Sequence, residues 1–159
     1  MKFAKKLAKS NNERAKFCGV KLVGDGSVSG NTAWTDEAGL PTCSEEEIQD
    51  AISWAKKNNC QVSMHAMGNK TIDRAVKMMA KEENWMGDIP CFRLEHVTMP
   101  SVEAIKIASE KGISFVTQPI FQYCEIESYL NNLGPEKTKL FFDTVFFGLD
   151  SLLVVFTCY

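Results

Sequence analysis

The sequence predicts an α/β fold in which short parallel strands alternate with amphipathic helices. One observation is that apolar runs of strand length recur along the chain. A second is that loops and apolar residues at helical spacing follow the first three of these runs. The runs are Val20–Val23, Gln61–His65, Phe92–His96 and Ile113–Gln118. Such units build a barrel or an open doubly wound sheet, and four strands are too few to close a barrel of eight.

Capping signals and apolar spacing place three helices between these strands. Ser44 followed by Glu47 forms a capping box that begins the first helix, and Asn58 and Asn59 end it. Gly112 is expected to end the third helix in the left-handed conformation. The residues expected to face the core are Ile48, Ala51, Ile52 and Ala55 in the first helix, Ile72, Ala75, Val76 and Met79 in the second, and Val102, Ile105 and Ala108 in the third.

Composition narrows the class of protein. The chain has 159 residues, of which 45% are hydrophobic and 24% charged, as is typical of one globular domain. The net charge of -2 gives no electrostatic reason to expect a nucleic-acid partner. The C-terminal apolar run is too broken for a membrane span, and the basic N-terminal stretch lacks the features of a leader, so we expect a cytoplasmic protein. The six cysteines form no CxxC pair, which excludes a zinc ribbon or thioredoxin motif.

The two histidines of the chain, His65 and His96, each stand where a predicted strand ends. In a barrel of strand–helix units, the carboxyl ends of the strands share one face, and active sites are built there. A single histidine at a strand end is more often a hydrogen-bonded structural residue. Two in equivalent places indicate one shared site, because imidazole is the commonest metal ligand.

Ordered motifs at these strand ends resemble those of a known family. They are Val20-Lys-Leu-Val-Gly-Asp-Gly-Ser27, Val62-Ser-Met-His-Ala-Met-Gly68, Arg93-Leu-Glu-His96, Gln118-Pro119 and Leu133-Gly-Pro-Glu136. Over residues 18–140 the chain is similar to the YtcJ-like branch (amidohydrolase family 3) of the amidohydrolase superfamily. The resemblance implies a partial TIM (β/α)8 barrel in residues 1–140, with about strands four to seven and their helices. Residues 141–159 would be an atypical hydrophobic C-terminal segment.

The resemblance also implies a function and a set of metal ligands. The chain would be a fragment of a metal-dependent amidohydrolase that cleaves an amide or other C–N bond of a small molecule through a metal-activated water. Lys21, carbamylated, would join His65 and His96 in binding a divalent metal, with zinc expected as one or two ions. From the residues alone, Lys21 has an alternative role, which is to reach a nearby carboxylate such as Asp25.

Several positions depart from the family pattern. The first-strand histidine pair is absent, and the candidate catalytic aspartate, Asp150, lies in a Gly-Leu-Asp-Ser context that departs from the family motif. Asn69 replaces an aspartate that would help to orient His65. We therefore expect little or no turnover from this chain alone. The alternative function is a catalytically inactive half-barrel that binds a partner chain or weakly binds metal, including a homo-oligomer formed through exposed barrel edges.

The loop that follows the first strand carries two further alternatives. The first is that the glycine-rich segment Gly24–Gly30 is a phosphate-binding loop. Its spacing matches neither of the two phosphate-binding fingerprints, and no helix follows it directly, so this alternative is disfavoured. Trp34, the one large aromatic residue of this loop, faces either the substrate or the rim of the barrel. The sequence does not choose between these two roles.

Overall fold

The structure is a computed structural model that describes residues 17–147 and 154–156. Its centre is a five-stranded sheet in which every neighbouring pair is parallel. The strands are β1 (Gly19–Val23), β2 (Gln61–Ala66), β3 (Phe92–His96), β4 (Ser114–Thr117) and β5 (Val154–Phe156). The helices are α1 (Glu45–Lys57), α2 (Asn69–Met79), α3 (Val102–Lys111), α4 (Pro119–Cys124) and α5 (Ile126–Phe147).

The strand order decides between the two predicted architectures. Spatial order follows chain order, β1-β2-β3-β4-β5, so each strand lies beside the next one along the chain. A doubly wound sheet reverses its order at a switch point, whereas the wall of a barrel does not. The predicted partial barrel of α/β class is therefore confirmed.

The ends of the helices follow the local sequence signals. The Ser44 side chain accepts from the Glu47 backbone N–H, and the Glu47 carboxylate accepts from the Ser44 N–H, which completes the capping box at the start of α1. Gly112 ends α3 at φ 65°, in the left-handed region. The prediction that Val102 faces the core is wrong, since its side chain is 79% exposed. Val102 directly follows the N-cap Ser101, and the buried stripe of α3 runs through Ala104 and Ala108 instead.

One face of the sheet forms the main core with the helices. The strand residues of this core are Val62, Met64, Ala66, Phe92, Leu94 and Phe115, and all are buried. The opposite face, called the inner face below, carries the alternate residues. Lys21, Ser63, Arg93 and Ser114 are register partners on it, in adjacent strands. A one-residue step along a strand changes the face, so these four polar residues lie opposite the apolar core.

The C-terminal region combines a broken helix with a short strand. Within α5 the backbone departs from helical geometry at Gly134, with φ 77°, directly before Pro135. Helix α5 continues past residue 140 to Phe147, and β5 pairs with β4. The proposed boundary at residue 140 stays a prediction. None of the described helices is both long and apolar enough to cross a membrane.

Candidate metal centre

The two histidines meet at the carboxyl ends of β2 and β3. His65 is the penultimate residue of β2, and His96 is the last residue of β3, opposite Ala66. Their rings stand edge to face, with centroids 4.6 Å apart and an interplanar angle of 63°. Two imidazoles at this separation can approach one ion between them.

A hydrogen bond to one nitrogen of each ring fixes which nitrogen carries the proton. His65 Nε2 lies 2.8 Å from the carbonyl oxygen of Gly26, so this nitrogen donates. His96 Nδ1 lies 2.7 Å from Gln118 Oε1 and donates to it. The lone pairs are then on Nδ1 of His65 and Nε2 of His96. Metal-binding histidines have this arrangement, in which the second nitrogen donates to a carbonyl or carboxylate oxygen.

The backbone at the end of β3 is held in an unfavourable conformation. His96 and Val97 have φ values of 74° and 45°, in the left-handed region that a β-branched residue such as Val97 rarely adopts. Such residues cost about 1–3 kcal/mol each and concentrate at functional sites. Val97 is buried and donates its N–H to Ala66, while the His96 ring stacks on Phe121 at a centroid distance of 5.6 Å. The surrounding contacts therefore turn His96 toward His65.

Burial favours the neutral form of His96. Removal of the ring from water lowers the pKa of His96 below its usual value, and the nearby charges of His65 and Lys21 lower it further. The hydrogen bond to Gln118 and the Glu95 carboxylate act in the opposite direction but do not outweigh burial. A neutral imidazole is the form that binds a metal ion.

Asp25 ties the loop after β1 to the loop after β2. Its buried carboxylate accepts backbone N–H bonds from Trp34 at 3.0 Å, Met67 at 3.1 Å and Gly68 at 2.8 Å. Asp25 Oδ1 also lies 3.6 Å from His65 Nε2. The alternative role for Lys21 as the partner of Asp25 is therefore wrong. Lys21 is exposed on the inner face and takes part in none of the ion pairs seen in residues 17–147.

The side chains of Asn69 and Trp34 have partners other than the two histidines. Asn69 Nδ2 donates to Asp36 at 2.9 Å, so the orientation of His65 depends on Gly26 and Asp25 rather than on residue 69. Trp34 lies under the Arg74 guanidinium of α2, 4.9 Å from the ring centroid. This contact with the outer helix favours the rim for Trp34 over the substrate.

A cleft on the described part of the chain lies apart from the two histidines. It has a volume of about 260 Å3 and is lined by Asp36, Asn69, Met99, Ser101 and Lys137, among others. Buried Met67 and Tyr129 belong to a small apolar cluster beside it. The chemistry of the two histidines, and not the size of a cleft, therefore defines the candidate site.

Sequence reasoning missed part of this arrangement. The carbonyl of Gly26 carries no sequence signal, and the roles of Asp25 as a loop tie and of Phe121 as a stacking partner depend on contacts between distant segments. Gln118 stood in a recognised motif, but its bond to His96 was not foreseen. Asp150 lies outside the described residues. Within those residues, no group of three or more His, Cys, Asp or Glu side chains is placed to hold a metal.

The sequence of this chain is similar to a known protein family. The sequence matches the amidohydrolase family over residues 1–146. The chain belongs to the amidohydrolase family. Among curated proteins, none matches it.

Three solved structures of similar fold are described as hydrolases or named as one, and each is about three times as long as this chain. An uncharacterised metal-dependent hydrolase from Pyrococcus furiosus superposes with a TM-score of 0.81 at 22% identity, covering 98% of this chain and 34% of its own. Its counterpart from Pyrococcus horikoshii OT3 gives 0.80 at 20% identity, with 98% and 33% covered. Ochratoxinase from A. niger gives 0.62 at 21% identity, with 86% and 30% covered. The chain therefore spans about a third of these structures.

Proposed function

We propose that this chain is part of a metal-dependent hydrolase that cleaves an amide or other C–N bond, with His65 and His96 as two ligands of a divalent cation. The observation that carries the proposal is the pair of rings 4.6 Å apart, each with one nitrogen engaged by an oxygen acceptor. Lys21, on the neighbouring strand, is the third candidate ligand. It would need carbamylation to supply an oxygen donor.

The residues at this site suit a bound cation, and each has a separate role in holding it. When bound, the cation supplies polarisation of a carbonyl group and activation of a water molecule. Gly26 and Gln118 hold the two imidazoles in the tautomers that bind metal. Asp25 fixes the loops that carry Gly26 and follow His65. In the described residues, no Cys, Asp or Glu stands beside the two histidines as a third metal ligand, so turnover by this chain alone is expected to be low.

Zinc binding tests the proposal directly. The purified chain is incubated with zinc and bicarbonate, and its metal content is measured beside His65→Ala and His96→Ala. We expect about one zinc ion per chain in the parent and loss of zinc in each variant, because each removes one of the two imidazoles. Zinc content that is absent in the parent, or unchanged in both variants, overturns the proposal.

Gln118 offers a matched pair of variants that leaves both ligands in place. Gln118→Glu keeps an oxygen acceptor for His96 Nδ1, whereas Gln118→Leu removes it. Loss of such a partner lowers metal affinity by about 10–100-fold. We expect this loss in the Leu variant only, measured by competition with a zinc-binding dye. Equal affinity in the two variants would mean that Gln118 does not hold the ring for metal.

A second candidate function is a half-barrel without turnover that binds a partner chain or a second copy of itself. The favouring observation is the position of β1, which ends the described sheet and exposes Lys21 and Val23, the latter by 55%. Light scattering after size exclusion measures the mass of the particle. A dimer that holds no zinc favours this candidate, and a monomer that holds zinc favours the hydrolase.

A further inference from the structure

One peptide group of the loop after β1 links a threonine to the candidate metal centre. The carbonyl oxygen of Gly26 accepts from His65 Nε2 at 2.8 Å. The N–H of the same peptide group, which belongs to Ser27, donates to Thr32 Oγ1 at 3.0 Å. A trans peptide group is planar, so its N–H and its C=O point in opposite directions. The hydroxyl of Thr32 therefore holds one end of a rigid unit whose other end meets His65.

Thr32 also holds the backbone on both sides of this peptide group. Its carbonyl oxygen accepts from the Gly26 N–H at 3.2 Å, and its own N–H donates to the Ser27 carbonyl at 2.9 Å. Of the four backbone N–H and C=O groups of Gly26 and Ser27, three thus bind Thr32 and the fourth binds His65. The two segments approach closely, since a Cβ at Gly26 would lie 2.1 Å from Thr32 Oγ1. Glycine at position 26 therefore leaves the space that the Thr32 hydroxyl occupies.

The direction of the Gly26 carbonyl matters because a second acceptor lies near the same nitrogen of His65. Asp25 Oδ1 is 3.6 Å from His65 Nε2, which is too far for a hydrogen bond. A rotated peptide group would release the ring of His65, and the ring could then turn toward this carboxylate. Such a turn would move Nδ1 of His65 relative to the ring of His96, which stands 4.6 Å away between centroids.

We propose that Thr32 is a positioning residue, which aims the Gly26 carbonyl at His65 Nε2 and so holds Nδ1 of His65 in place for the cation. The inference rests on the proposed function in treating His65 as a metal ligand. The hydrogen bonds that carry it belong to the metal-free chain, so they can be tested without metal.

The ring hydrogens of the two histidines report on this arrangement. A chain labelled with 15N-histidine gives signals from two rings, those of His65 and His96. With chelator present, the rate at which the Nε2 hydrogen of His65 exchanges with water measures how often its bond to Gly26 opens. The signal that disappears in His65→Ala identifies His65. His96, bonded to Gln118, is the internal control.

Thr32→Val keeps the shape of the side chain and removes the acceptor, whereas Thr32→Ser keeps the hydroxyl. We expect exchange at His65 to become about fivefold faster in the Val variant, the equivalent of one neutral hydrogen bond, and to stay at the parent rate in the Ser variant. Thr35→Val is the matched control, because the Thr35 hydroxyl accepts from two other backbone N–H groups of the same loop. It should leave the His65 rate unchanged. Circular dichroism confirms that the three variants fold.

Three outcomes of the exchange experiment overturn the inference. They are a parent rate in Thr32→Val, an equal rise in Thr32→Ser or Thr35→Val, and a rise of the same size at His96. Dye competition for zinc then tests the role toward the cation. Thr32→Val should bind zinc about fivefold more weakly than Thr32→Ser, and equal affinities overturn that role. A parent chain that holds no zinc refutes the proposed function, while the exchange rates still decide whether Thr32 positions His65.

Discussion

Replacement of Asp25 by asparagine should destabilise the chain strongly, although the change removes no heavy atom. Oδ2 accepts from Trp34 and Gly68, and Oδ1 accepts from Met67. The amide of asparagine has one oxygen, so at best it keeps the two bonds at Oδ2 and turns its NH2 group toward the Met67 N–H. Loss of one bond to a charged acceptor costs about 1.5–3 kcal/mol. The two retained bonds lose charge assistance, which brings the expected loss to about 3–5 kcal/mol.

Urea unfolding followed by tryptophan fluorescence measures this loss. The midpoint should fall while the slope with denaturant stays constant, as expected for a change in stability alone. Asp50→Asn, on the exposed face of α1, is the control and should leave the midpoint in place. A loss below about 1 kcal/mol for Asp25→Asn would refute the reasoning, since that is the worth of one neutral hydrogen bond.

Three further predictions follow from burial and backbone geometry. The pKa of His96 is lowered in the folded chain, so as pH falls the unfolded chain takes up the proton first. The metal-free protein should therefore lose stability as pH falls below about 6.5. Urea unfolding at pH 7.5 and 5.5 measures this pH dependence of stability, and His96→Gln should lack the part that His96 contributes. Gly68→Ala should reduce the melting temperature far more than Gly87→Ala. A Cβ at Gly68 would lie 2.1 Å from the Trp34 carbonyl oxygen, so the backbone would have to shift. A Cβ at Gly87 would meet open space, and Gly87→Ala should cost only about 1–2 kcal/mol of stability for the positive φ. A thiol reagent followed by peptide mass mapping should label the exposed Cys18 and Cys124 before the buried cysteines, whose pKa values are raised by burial; equal rates would contradict this order. Among the described residues, the buried cysteines are Cys43, Cys60 and Cys91.

The parts of the fold that the sequence predicted are those decided by neighbours along the chain. The capping box at Ser44, the end of α3 at Gly112 and the buried stripe of α2 each depend on residues within one or two helical turns. Val102 was misplaced because apolar spacing alone does not show which side of a first helical turn meets the sheet. Helix α5 was not foreseen, since its Gly134–Pro135 break resembles a loop.

The candidate site likewise has a part that the sequence predicts and a part that only the tertiary structure decides. The sequence by itself determined that two histidines end successive strands, and parallel strands then place them on one face of a barrel wall. Only the tertiary structure decided which nitrogen of each ring donates, because Gly26 lies 39 residues from His65 and Gln118 lies 22 residues from His96. It also decided that Asp25 serves backbone amides and that Lys21 shares the inner face with Arg93. Hydrogen bonds between distant segments depend on strand register and loop path, which local residue patterns do not encode.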